Sequence, residues 1–189
     1  MIKILLALLG RIAFASQGLA FDEADLKKLK TTGSCPKCDL SNAKLQGAKL
    51  QGADLSGADM RNIRMGEADL RGANLSKANL FNAYLRGSDM SKIDLSGADL
   101  FVADLKRSNL RGANLQNSNC RQADISESDL RDADLRGINF LATDLTRSDL
   151  STARLTKGET LIDAILCDTK TPWGLDDNEC PEEDVDFGS

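Results

Sequence analysis

The chain of 189 residues contains no histidine, which removes the side chain most used for acid–base chemistry and metal ligation near neutral pH. It also lacks a G-x-S-x-G elbow, a Walker loop and a dinucleotide-binding glycine pattern, so the common nucleophile and phosphate-cradling sites are missing. An enzyme is not expected, and no cofactor is called for. Proline occurs only at positions 36, 172 and 181, which leaves the long stretch between free of the one residue that cannot donate to a β-ladder. Long apolar runs are missing as well. The only one, at Met1–Gly10, is far too short to span a bilayer permanently.

What the chain does have is a strict period of five. Every fifth residue from Leu40 to Leu155 is apolar: 18 Leu, three Met, Cys120, Ile125 and Phe140, or 24 consecutive positions. Two residues before each lies a second restricted column of 14 Ala, five Ser, three Ile, Thr143 and Cys38. The unit is A-[D/N]-L-x-x, as in Ala53-Asp54-Leu55-Ser56-Gly57. A helix turns about 100° per residue, so a period of five would wander around it without forming a stripe. A plain strand would send successive leucines to opposite faces, whereas Ala and Leu of one unit, two apart, share a face. Each unit is therefore a very short extended piece followed by a corner. Corners that all turn one way coil the chain into a tube, with Leu and Ala inside and parallel pairing between coils.

These units resemble the pentapeptide-repeat family over about residues 38–157. The resemblance implies an all-β fold, a right-handed quadrilateral parallel β-helix with four repeats per coil. Twenty-four units then make about six coils, a rod roughly 29 Å tall at the strand spacing of about 4.8 Å. Such a solenoid needs caps at its open ends. The chain accordingly divides into 1–20, a signal-peptide pattern; 21–37, an N-terminal cap; 38–157, the β-helix; 158–180, a C-terminal cap; and 181–189, an acidic tail expected to be flexible.

The first segment has a basic residue, a short apolar run and two small-x-small sites, Ala13-Phe14-Ala15 and Gly18-Leu19-Ala20, which resembles a secretory signal. Arg11 shortens the run. The competing reading is an N-terminal helix of a cytoplasmic protein. Residues 21–30 run from acids to bases as a short helix would, with Leu26, Leu29 and Phe21 placed to cover the first coil. At the far end Trp173, in the turn-like Thr171-Pro172-Trp173-Gly174, is expected to lie across the last coil.

Four cysteines flank the repeats, Cys35 and Cys38 before, Cys167 and Cys180 after, while Cys120 sits in the core column. A single four-cysteine zinc site would have to bridge both ends of the implied rod, so two disulfides fit better and no metal is expected. The Cys35-Pro36-Lys37-Cys38 spacing also matches thiol oxidoreductases, but no helix follows to lower a thiol pKa. Within the family, the Cys35-Pro36-Lys37-Cys38-Asp39-Leu40 start resembles exported cyanobacterial members and their thylakoid-lumen relatives, which implies periplasm or lumen.

The net charge of −5 suits the acidic family members that imitate DNA and block a topoisomerase. Its distribution does not. Residues 38–157 hold 17 Lys and Arg against 16 Asp and Glu, whereas residues 158–189 hold one Lys and 10 acids. A near-neutral rod cannot reproduce the charge density of duplex DNA, and no nucleic-acid partner is expected either. Stacked Asp104, Asp124 and Asp144 could suggest calcium, yet Asp and Asn commonly bond the backbone at corners, the reading adopted here.

With four units per coil, residues 20 apart stack. The slot after the core residue reads Ser41, Arg61, Phe81, Phe101, Arg121 and Leu141 along one side, and the next slot adds Val102 and Ala142. An aligned apolar strip bounded by Arg61 and Arg121 has the composition of a contact surface. The expected function is a non-catalytic, exported structural or protein-interaction module that binds an unknown protein partner or itself, with no stable membrane insertion once the signal is removed. A cytoplasmic topoisomerase inhibitor and a redox-active Cys35/Cys38 cap are the alternatives.

Overall fold

The computed structural model describes residues 21–156, 161, 163–176 and 180. The signal-peptide reading of 1–20 and the flexible-tail reading of 181–189 lie outside them.

Each five-residue unit closes a tight turn whose ends are joined by one hydrogen bond, as where Ala53 N–H donates to the Leu50 carbonyl at 3.1 Å. The second corner residue has positive φ, 64° at Gly52 and 62° at Asn42, the conformation that a type II turn requires at this place. Between corners the chain is extended for so short a distance that it forms one-residue parallel bridges. Through most of the rod these join residues 20 apart and fall into four ladders, starting at Ser34, Asp39, Lys44 and Lys49. Asn74 shows the unit of cohesion: its N–H donates to Ala53 O at 2.8 Å, and its carbonyl accepts Leu55 N–H at 2.8 Å.

Both inward columns are packed dry. Leu55, Leu100 and Leu115 are wholly buried, Phe140 is nearly so, and Ala58, Ala78 and Ala98 line the same interior. Where the small column carries a hydroxyl, the hydroxyl bonds to backbone or, at Ser108, to the Ser128 hydroxyl of the next coil. Ser88 Oγ donates to Met65 O at 2.8 Å, Ser148 Oγ to Ile125 O at 2.8 Å and Thr143 Oγ1 to Cys120 O at 2.6 Å. Among the described residues no buried side-chain N or O atom lacks a partner, so these polar intrusions carry no desolvation penalty of the unpaired kind.

The N-terminal end is covered by α1, Glu23–Thr32. Asp22 caps it, its carboxylate accepting the N–H groups of Ala24 and Asp25, and Gly33 ends it in the left-handed conformation, a position that favours glycine. Leu29 is buried against the first coil, with Phe21 and Leu26 packed beside it. The helix is pinned on one side, where Asp22 N–H donates to Asp39 O and Asp39 N–H to the Asp25 carboxylate. Ala48 and Leu50, on the far side of this first coil, stay half-buried. No helix among the described residues is long and apolar enough to cross a membrane.

The last coil breaks the count. Asp144 pairs with Ile165 and Asp149 with Lys170, a separation of 21 rather than 20. One extra residue is thus absorbed before the ladders resume, which explains why the apolar column loses its phase after Leu155. The chain then forms an antiparallel hairpin from β1, Thr169–Thr171, and β2, Gly174–Asp176. Trp173 lies at its tip and is 57% exposed, so the expectation that it covers the open end is corrected. Thr169 and Thr171 face inward instead, with Thr169 Oγ1 donating to Leu145 O at 2.7 Å.

Candidate functional site

The outer surface is organised by the residue before each core position. Wherever that slot holds Asp or Asn, Oδ1 accepts the backbone N–H two residues on, from Asp39 with Ser41 to Asp149 with Ser151, 19 times in all. The side chain thereby fixes the corner. Asp104, Asp124 and Asp144 belong to this set. Asn74, Asn109, Asn114 and Asn119, each stacked on an Asp, bond back to the coil before, as Asn119 Nδ2 does to Asp99 Oδ1 at 2.8 Å, so a neutral donor relieves what would be a column of like charges.

Arginine two residues after Asp adds a second clasp. Arg61, Arg71, Arg131 and Arg136 each fold back onto Asp59, Asp69, Asp129 and Asp134. The Arg71 guanidinium bonded to Asp69 holds its carboxyl down at about 2. Glu127, bonded first by Arg107 and then by Lys106, is likewise held at about 2. These groups brace corners and do not converge on a reactive centre.

The predicted strip is partly assembled. Phe81 and Phe101 contact each other with ring centroids 5.8 Å apart at 41°, within the range of favourable aromatic pairs. Arg121 places its guanidinium carbon 5.7 Å from the Phe101 centroid, close enough for a cation–π contact. Phe81 is 38% exposed and Leu141 40%, while Phe101 and Val102 are half-buried. Arg61 turns to Asp59 rather than over the rings. Leu141 lies two coils beyond Phe101, with Arg121 between them, and stands apart from the aromatic pair. Val102 has φ 53°, a genuine outlier for a β-branched residue.

Cys35 is bonded to Cys38 and Cys167 to Cys180. Cys120 is free and buried, and burial pushes its thiol up to about 12, which removes it from thiolate chemistry at ordinary pH.

Sequence reasoning overlooked Tyr84, which is 42% exposed and is the one aromatic in a slot mostly given to Asp or Asn. The substitution itself was the available signal. Its ring lies over Gly66, where an added Cβ would come within 2.6 Å of Tyr84 Cε1. Together with Arg64 and Arg86 it lines an open groove of about 900 Å³. The interior is filled as expected, but the outside is not featureless.

The family model for pentapeptide repeats matches residues 34–62, 63–100, 103–140 and 123–159, in eight copies. The chain belongs to the pentapeptide-repeat family. Its coil is accordingly a right-handed β-helix. Among solved structures, this pentapeptide-repeat protein is similar to Rfr23 from the cyanobacterium Cyanothece 51142, at 23% identity over 75% of this chain and 97% of that one, TM-score 0.37. A second is a pentapeptide-repeat protein from the Arabidopsis thaliana thylakoid lumen, at 28% identity over 60% and 70%, TM-score 0.27. A third is QnrB1, a plasmid-mediated fluoroquinolone resistance protein, at 17% identity over 71% and 79%, TM-score 0.33. No significant match was found among curated proteins.

Proposed function

We propose that this pentapeptide-repeat protein is a non-catalytic, exported interaction module. Its rigid body is a four-sided rod of about six coils, and its binding face is the strip of Phe81, Phe101, Val102 and Leu141 bordered by Arg61 and Arg121. The observation that carries this reading is the strained, half-buried Val102 beside the paired rings of Phe81 and Phe101. The corner itself is served by Asn at positions 42, 62 and 82. A valine there costs stability and adds only apolar surface, the trade expected where a partner covers that surface.

Export is supported by the bonded cysteine pairs at both flanks, since disulfides persist in oxidising compartments, and by the signal-like pattern at 1–20. The periplasm or a thylakoid lumen is the compartment this implies. A redox role for Cys35 and Cys38 is disfavoured because both are buried, out of reach of an attacking thiol. Topoisomerase inhibition by DNA mimicry is disfavoured by the near-neutral rod, several of whose acids are clasped by arginines.

The test is affinity capture from a compartment-matched extract with the native chain and with Phe81→Glu/Phe101→Glu. The native chain retains a specific partner or a second copy of itself, and the variant releases it. Equal recovery by both would end the reading.

A further inference from the structure

The groove beside Tyr84 has a charge and a location that the strip does not explain. Its lining holds three arginines, Arg64, Arg86 and Arg107, against one acid, Glu67. Arg107 is engaged by Glu127 at 2.6 Å. Among the described residues no acid is bonded to Arg64 or Arg86, although nearly every other arginine on the rod folds back onto one. The Tyr84 ring passes over Gly66, where a side chain would collide with it, and Tyr84 is 42% exposed, so the groove lined by Arg64 and Arg86 also carries an exposed aromatic ring. Two unengaged guanidinium groups and an aromatic ring in one groove suit a ligand with paired carboxylates and a ring.

The fold also states what stands above this groove. The corner that holds Arg86 continues coil by coil through Lys106, Ser126 and Thr146 to Cys167, as the successive bonds Glu67 N–H to Arg86 O, Gly87 to Lys106, Arg107 to Ser126, Glu127 to Thr146 and Arg147 to Cys167 show. Cys167 is therefore four coils from Arg86, about 19 Å at the parallel-strand spacing. Cys180 is bonded to Cys167, so the chain at Cys180 is held at the same corner as the groove. That segment, Pro181-Glu-Glu-Asp-Val-Asp-Phe-Gly-Ser189, carries four acids, one phenylalanine and no base. Extended, the segment advances about 3.4 Å per residue from Cys180, so the Asp184 and Asp186 carboxylates and Phe187, four to seven residues on, come within side-chain reach of the coil of Tyr84 and Arg86.

We infer that the Arg64–Tyr84–Arg86 groove is a binding site for an acidic peptide segment, and that its occupant is residues 181–189 of the same chain. Carboxylates of the segment pair with Arg64 and Arg86, and Phe187 meets the Tyr84 ring. The disulfide sets the reach and the corner, the arginines set the sign of charge, and Gly66 keeps the floor open. The site is independent of the Phe81–Phe101 strip.

The test uses the full-length oxidised protein. Arg64→Lys/Arg86→Lys retains the charge and supplies amines that a carbodiimide couples to neighbouring carboxylates. Peptide mapping is expected to find positions 64 and 86 joined to Asp184 or Asp186 within monomers. In parallel, cleavage after Glu182 and Glu183 by a glutamate-specific protease is expected to run about fivefold faster in Arg64→Glu/Arg86→Glu than in the native chain, as the loss of two exposed ion pairs implies. Amines at 64 and 86 that stay uncoupled, links found only in covalent dimers, or an unchanged cleavage rate would each overturn the assignment.

Discussion

Val102→Asn is expected to stabilise the rod and weaken its association, and the size of the stability effect follows from the corner. A residue with a Cβ in the left-handed conformation carries a cost of about 1–2 kcal/mol, which Asn largely escapes through local hydrogen bonding. At φ 53° and with a branched Cβ, Val102 sits at the upper end of that range. Asn also continues an existing ladder, since Asn82 Nδ2 donates to Asn62 Oδ1 at 2.8 Å and an amide at position 102 falls in the next place. Against this stands the loss of a half-buried apolar side chain, worth about 1 kcal/mol when half of a full valine's burial is counted. The net gain is about 1 kcal/mol, a rise in Tm of about 2–4 °C for a chain of this size. The reverse change, Asn82→Val, introduces the strain and breaks the existing bond, and is expected to lower Tm by at least as much. Thermal unfolding followed by circular dichroism measures both. A lower Tm for Val102→Asn would refute the reasoning, because the valine would then be serving the fold and not a partner.

Leu100 is wholly buried in the stacked column, so Leu100→Asp is expected to unfold the rod at a cost of several kcal/mol for an unpaired buried charge; unchanged circular dichroism and melting would contradict the packing. Mass mapping of protein from its native compartment, without reduction, is expected to return Cys35–Cys38 and Cys167–Cys180 peptides, with Cys120 alkylated only after denaturation. Recovery of four free flank thiols would count against both the bridges and export. Asp69 and Glu127 have folded pKa values of about 2, below the unfolded carboxylate values near 4. Their contribution to stability is therefore complete above about pH 4 and is lost as pH falls from about 4 to 2. An acid titration in which Arg71→Gln/Arg107→Gln shows a smaller loss than the native chain over that window checks the sign.

The period of five made the interior legible, because a column with no exception from Leu40 to Leu155 admits only one way of facing inward. The number of units per coil was not in the pattern; it came with the family resemblance, and the 20-residue ladders then follow it. The Asp and Asn slot was read correctly as corner chemistry, since those side chains act on backbone two residues away and need no tertiary information. Legibility fails where the period does. One inserted residue before Ile165 shifts the last coil, and nothing local marks where it is absorbed. Trp173 was misplaced because turn composition locates a hairpin tip without saying which way the tip points. Tyr84 was missed because its slot was read only for the Asp and Asn that dominate it. Arg61 was drawn beside the strip by stacking alone, while the nearer carboxylate of Asp59 claims it.

The most direct test of the central claim is the dissociation constant of the complex, whether with a captured partner or with a second copy, measured by sedimentation for the native chain, for Phe81→Glu/Phe101→Glu, and for a control pair on another side, Gln51→Glu/Ser91→Glu. If the strip holds the anchors, the aromatic pair variant loses at least about 2 kcal/mol of association, roughly thirtyfold in the constant, with unchanged melting, and the control does not. Equal constants for all three would contradict the account and place binding elsewhere on the molecule.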